Sequence, residues 1–393
     1  MKVILFTGHH KVGSTSLQKF LLHNRMALLE QGILYPSTAP AGLAQDLQAA
    51  LAWNRPGQRL MRGLGLRGAG LQAARALGRA RWPANVAEPH NALAFKLLSE
   101  GTRSWKLPEY HRGLPHSRQM LQTVAAQVAT LQPQAVILAS EVFANMGLGQ
   151  QQMIRRIADL FPGAEVRIIT VFRQIDSYLA AWHMQRLRFG ARLAPLAEGG
   201  LQDYWDTVHF DYRQALAGWR AVLPEAELVL RPYEEVKAAG GSVADFMAVS
   251  GLRFPRGLIR RFQANASLHP ALAELARRGN LALAPEPAAA LRQFLQRSAA
   301  ARGLPSAADV EVYGAGLRRE LLERFHPVHA ALGQLSGRHP FFVGLEAAAA
   351  VRPHPLPEVA AAALAQLQRD LSGLPDAAAR QFLQQLQLPA AAK

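Results

Sequence analysis

The sequence predicts an α/β fold: a doubly wound, mostly parallel sheet with helical insertions and a helical C-terminal cap. Three observations predict it. Short aliphatic and β-branched runs recur up to Leu230, each about as long as a buried strand. Segments of helical periodicity separate them, the alternation expected of parallel sheets. After Leu252 the strand signal ends while helical patterns continue.

The first strand is expected at residues 2–7, where Val3-Ile4-Leu5-Phe6 is uninterrupted and apolar. A short extra strand fits 33–35, and full strands fit 135–139, 166–172 and 227–230. Helices are expected at 15–31, 118–131, 150–160, 175–189 and 204–222. Pro162-Gly163 and Pro224 mark two helix-to-strand returns. Residues from about 40 to 115 read as a helical insertion. A helical cap is expected from about 255 to 345, with helices near 271–283, 287–301 and 310–332. Together these make one α/β domain over 1–345. The tail, 346–393, carries Pro353, Pro355 and Pro357 before Ala/Gln/Leu-rich helices and reads as a peripheral appendage.

Composition narrows the function classes. The chain has 393 residues and no cysteine, which excludes disulfides, thiolate catalysis and zinc–thiolate sites. That absence fits a cytoplasmic protein. The apolar start is too short for a signal peptide, and no run reaches the roughly 18 apolar residues of a spanning helix. The net charge is +16, almost all of it arginine; the only lysines are Lys2, Lys11, Lys19, Lys96, Lys106, Lys237 and Lys393. With abundant Ala, Leu and Gly, this is the coding bias of a GC-rich genome, and the alternative is a surface that attracts anions. The densest basic stretch is Arg55, Arg59, Arg62, Arg67, Arg75, Arg79 and Arg81. It carries no nucleic-acid motif, so no nucleic-acid partner is expected.

The chemistry-bearing segment is Gly8-His9-His10-Lys11-Val12-Gly13-Ser14-Thr15-Ser16-Leu17-Gln18. It follows the first strand and opens a helix, where backbone N–H groups and a helix N-terminus can meet a phosphate. Gly8 and Gly13 have the spacing of a Walker A loop. The lysine that should follow the second glycine is replaced by Ser14, and the loop's lysine is Lys11. The other reading is an ordinary strand–helix turn capped by Ser14 or Thr15.

Two further strand ends supply candidates. Arg173 ends the strand 166–172, where open α/β sheets bind ligands, and Ser177 lies four residues on. A guanidinium and a hydroxyl so placed can fork a phosphate, or else serve as a surface arginine and a helix cap. Glu141 follows the strand 135–139 and is the first candidate for a general base; an N-cap or ion-pair role is the alternative. His90, read as a loop residue, is the second candidate base. His9 and His10 are balanced between contact and packing roles, His183 reads as a satisfied core histidine rather than a base, and Asn265-Ala266-Ser267 reads as a helix cap.

The segment from Gly8 to Gln18 resembles the 5'-phosphosulfate-binding loop of the P-loop sulfotransferase superfamily, in its bacterial and carbohydrate-acting branch. Gly32-Ile33-Leu34-Tyr35-Pro36 is similar to the short strand that ends in Tyr-Pro in that family. The resemblance covers about residues 1–36 and 135–190. It implies a P-loop-like phosphate site and a donor, 3'-phosphoadenosine-5'-phosphosulfate (PAPS), which leaves as the bisphosphate PAP, with no metal. Lys11, Val12, Gly13, Ser14, Thr15 and Ser16 would hold the 5'-phosphosulfate, and Arg173 with Ser177 the 3'-phosphate. Lys11 would stabilise the leaving oxygen while Glu141 takes the acceptor's proton. The acceptor would offer a hydroxyl or amine on a glycan or glycolipid precursor or a small metabolite. The resemblance finds no counterpart here of the C-terminal Arg/Gly-rich loop that completes the 3'-phosphate site in the cytosolic branch. Two other readings stay open. Glu141 could imitate a Walker B carboxylate in a nucleotide kinase or ATPase, or the chain could be a non-enzymatic protein that binds acidic glycans.

Overall fold

A computed structural model describes residues 1–54, 84–102, 105–111, 113–260, 268–298 and 303–388. The basic stretch from Arg55 to Arg81 and the expected cap at 265–267 lie outside them. Contacts divide the chain into two compact units. The first comprises Met1–Arg173, Tyr212–Ala264 and Leu332–His339; the second comprises Gln174–Asp211, Asn265–Ala331 and Pro340–Lys393.

The first unit is built on a five-stranded sheet of β1 (Lys2–Phe6), β2 (Ile33–Leu34), β3 (Ala135–Ala139), β4 (Glu165–Phe172) and β5 (Glu227–Pro232). The order is β2-β3-β1-β4-β5 and every pairing is parallel. Alternation along β1 explains why its whole run is apolar. Val3 and Leu5 enter one core with Leu93, Leu97, Leu138 and Trp219. Ile4 and Phe6 enter another with Leu17, Phe20, Leu21 and Phe246. From Val3 to Phe6 both faces of the strand are buried, as the lack of polar positions after Lys2 predicts.

Helix α1 (Ser14–Leu29) and helix α2 (Pro89–Gly101) bring side chains to the C-terminal edge of this sheet. The insertion is helical where described, over Pro40–Trp53, Ala84–Ala87 and α2. The helix Ser117–Leu131 opens with His116, whose side chain accepts from Arg118 N–H while Gln119 reaches back to the His116 N–H.

The second unit is mainly helical. Its core joins Leu272, Leu275, Leu291 and Leu295 with Val359, Ala363, Leu364, Leu367, Leu374 and Leu383. The tail helices Leu356–Arg369 and Ala377–Gln385 therefore supply core residues. Three expectations need correction. The helix expected at 204–222 is Tyr212–Val222, because Thr207 first closes a turn, accepting at its carbonyl from the N–H groups of Phe210 and Asp211. The helix expected at 310–332 is Ala315–Ser336. Ahead of it Val310–Glu311 pairs as a strand with His354–Pro355, so strands do occur after Leu252. No described helix is long and apolar enough to cross a membrane.

Candidate functional site

The loop between β1 and α1 is shaped by its neighbours. Thr7 N–H donates to Ile169 O and His9 N–H to Val171 O, both at 3.0 Å, so the chain continues alongside β4 beyond the end of β1. Thr7 and Thr170 share a hydroxyl hydrogen bond of 2.7 Å. A Cβ at Gly8 would lie 3.1 Å from the Val171 backbone nitrogen, so a larger residue would have to push β4 back by a few tenths of an ångström. The loop then reverses through two left-handed residues, Lys11 (φ 63°) and Gly13 (φ 85°). For lysine this region is uncommon and costs free energy. Gly13 is the N-cap of α1, and no side chain caps the helix. The Gly13 carbonyl accepts from Ser242 Oγ at 2.8 Å, which ties the turn to helix α3 (Ser242–Val249).

Lys11, Thr15 and Ser16 are half-buried, while Val12 and Ser14 are buried. Burial and then the Lys11 charge push the His10 imidazole down to about 3. His9 is buried edge-on against Phe172 and Tyr212, with centroids 4.8 and 4.3 Å away. Both histidines are thus part of the loop's packing.

Glu141 begins a short 3-10 helix, Glu141–Met146, directly after β3. Its carboxylate accepts from Gln18 Nε2 at 3.0 Å, from Asn91 Nδ2 at 3.3 Å and from the Ser14 hydroxyl. Ser14 and Gln18 lie four residues apart on one face of α1, so the helix that the loop opens also holds this carboxylate. Asn91 is itself fixed by Ser140 Oγ, which donates to its Oδ1 at 2.6 Å, and by a bond from its Nδ2 to Glu88 Oε2 at 2.9 Å. Burial, with the like charge of Glu88 second, pushes the Glu141 carboxyl up to about 7; the bonds from Ser14 and Asn91 oppose the shift. A carboxylate near 7 suits a general base at neutral pH.

His90 sits in the first turn of α2, so its expected loop position is corrected. It is fully buried, and both ring nitrogens are used. Nδ1 accepts from Ala139 N–H and Nε2 donates to Pro36 O, each at 3.0 Å. Burial pushes it down to about 3, which keeps the ring neutral. It joins the Tyr-Pro end of β2 to the end of β3 and has no nitrogen left for a substrate's proton. His183, in the second unit, bonds Tyr204 Oη at 2.8 Å; burial first, then Arg186, push it down to about 4.

Arg173 follows β4 directly. Its carbonyl accepts from Tyr212 Oη at 2.8 Å, and its guanidinium carbon lies 5.6 Å from the centre of the Tyr233 ring. Ser177 belongs to the second unit, in the first turn of the helix Ile175–Arg188, where its Oγ donates to Gln174 O at 3.1 Å. The neighbouring Asp176 is buried against Arg318 and Arg352.

Sequence reasoning singled out Asn91 beside His90 for acceptor contacts and Gln18 within the loop segment, but missed that both bond Glu141, and it missed Glu88. Gln18 was signalled by its four-residue spacing from Ser14. No local pattern marks Asn91 or Glu88 as neighbours of Glu141.

No family model matches the chain, and no solved structure matches it. An uncharacterized protein of Archaeoglobus fulgidus is 25% identical over 134 residues, 34% of this chain and 34% of that protein. The match thus spans about a third of that relative's length.

Proposed function

We propose that this chain is a sulfotransferase that moves a sulfuryl group from PAPS to an acceptor hydroxyl. The observation that carries the reading is the coupling of a candidate base to a glycine-bearing loop: Glu141 is held by Ser14 and Gln18, from the helix that the loop opens. The strand order and the apolar side chains on both faces of β1 support a doubly wound sheet, with β1 at its switch point. The uncapped start of α1 and the left-handed turn at Lys11 and Gly13 suit an anion seated on backbone N–H groups.

In this reading the acceptor oxygen forms a bond to sulfur as the sulfur–oxygen bond to the 5'-phosphate breaks. The bond's electron pair stays on the phosphate of PAP, and the acceptor's proton passes to Glu141. Lys11 meets the negative charge that grows on the departing oxygen. Ser14 serves Glu141 through its hydroxyl, so Thr15, Ser16 and backbone N–H groups serve the phosphate. Arg173, at the end of β4, takes the 3'-phosphate.

A binding screen of PAPS, PAP, adenosine 5'-phosphosulfate and ATP with magnesium tests the class. Tight PAPS and PAP binding that survives a chelator is the expected result. Selective, magnesium-dependent ATP binding would instead assign the loop to a nucleotide kinase or ATPase. Salt-sensitive binding of acidic glycans, without any nucleotide, would assign the chain to a non-enzymatic role.

A further inference from the structure

We propose that the second unit binds an amphipathic carboxylate, a fatty-acid-like anion whose head meets Arg277; this does not depend on the transfer reaction proposed above. A cavity of about 280 Å³ lies wholly within that unit, bordered by the helices Pro270–Ala282 and Leu356–Arg369 and by the segment after Val310–Glu311. Part of its wall is charged. Glu274, Arg277 and Arg278 lie three and four residues apart, on one face of the helix. Arg277 gives Nε and Nη2 to the two Glu274 oxygens at 2.6 and 2.7 Å, and Arg278 gives Nε to Oε1 at 2.8 Å. Two guanidiniums therefore share one carboxylate, and one positive charge is left over. Arg277 is only 8% exposed, and its Nη1 has no hydrogen-bond partner among the described residues.

The other acids on the cavity do not answer this charge. Glu311 is spent on Arg318 Nε and on the N–H groups of Tyr313, Gly314 and Arg352. Glu198 is exposed, where water and salt screen it. Much of the remaining wall is apolar, with Val312, Leu356, Ala360 and Leu388. Val312, Leu356 and Leu388 are half-buried, so a small molecule can reach them from solvent. A narrower space of about 30 Å³ shares Arg277, Val312 and Leu356 and adds the apolar side chains of Met184 and Leu187. A mostly apolar cavity with a few convergent polar groups is the usual form of a small-molecule site. A carboxylate matches the flat guanidinium and accepts a charge-assisted hydrogen bond from Nη1. An alkyl chain behind it would cover the half-buried apolar side chains. A neutral alcohol would fill the apolar space and leave the charge unmatched, and a short acid would do the reverse.

Calorimetry of the full chain with octanoate, 1-octanol and acetate at neutral pH tests this. One octanoate should bind per chain, about ten- to hundredfold more tightly than 1-octanol, as expected for a hydrogen bond between charged groups. Acetate, which lacks the buried methylene groups, should bind about a hundredfold or more weaker than octanoate. Arg277→Met leaves Glu274 paired with Arg278 and should bring octanoate to within about threefold of 1-octanol. Leu388→Ala, at a half-buried position after the last helix, should weaken octanoate and 1-octanol alike by about fivefold or more. It keeps the test decisive should Arg277→Met not fold. Absence of octanoate binding, equal affinity for octanoate and 1-octanol, a preference that survives Arg277→Met, or an affinity unchanged by Leu388→Ala would overturn the proposal. So would several octanoates per chain bound equally by Arg277→Met, since the basic surface alone would then account for them.

Discussion

At Glu141, burial and Glu88 favour the protonated acid while Ser14 and Asn91 favour the carboxylate, and the first pair prevails. Two consequences follow with definite sign. As a base, Glu141 works in its ionised form, so kcat/KM for transfer should rise with pH through about 7 and then level. Glu141→Gln should remove that limb and slow transfer roughly a hundred- to ten-thousandfold, with PAP affinity nearly intact. For stability, the folded chain holds a proton that the unfolded chain releases at an ordinary carboxylate value. The stabilisation is full below that value and is lost as pH rises to about 7. Urea titrations at stepped pH should show this decline in wild type and a flatter profile in Glu141→Gln. Lys11 acts on charge that appears mainly in the transition state. Lys11→Ala should therefore cost about a hundredfold or more in single-turnover rate with little change in PAP affinity. Rates within a fewfold of wild type would remove Lys11 from the mechanism.

The loop between β1 and α1 was legible because its signals are local: an apolar run, two glycines, a lysine and a helix start within eighteen residues. Its backbone also makes a prediction. Gly13 has φ 85°, and a Cβ there would lie 2.8 Å from Ser242 Oγ. Gly13→Ala should destabilise the protein by about 1–2 kcal/mol for the left-handed conformation alone, measured by urea denaturation. It should also weaken PAP, because the turn that presents the N–H groups must shift. The five strands were legible for a related reason, since burial on both faces of β1 leaves an unbroken apolar string. The surroundings of Glu141 were not. Asn91 and Glu141 are separated by a helix and a strand. Periodicity cannot report which polar residues a fold brings together. His90 shows the converse: its residue type suggested a base, while its burial and two hydrogen bonds make it a clamp.

Over the whole chain, the second unit was the least legible part, because alanine- and leucine-rich helices carry little information about which faces meet. Tail residues 356–385, read from sequence as peripheral, bury Val359, Ala363, Leu364, Leu367 and Leu383 among the second unit's helices. A chain ended after Glu346 should therefore expose Leu272, Leu275 and Leu291 and aggregate, which light scattering would detect; a soluble product with unchanged near-UV circular dichroism would show the tail to be dispensable. The donor is the claim on which the rest of the functional account depends. Calorimetry of PAP and AMP against wild type and Arg173→Ala tests it most directly. Wild type should strongly prefer PAP, and Arg173→Ala should lose most of that preference, about ten- to hundredfold for a charge-assisted phosphate contact. Equal affinities for PAP and AMP in wild type would contradict a PAPS donor, and an equal loss of both in Arg173→Ala would remove the arginine from the 3'-phosphate.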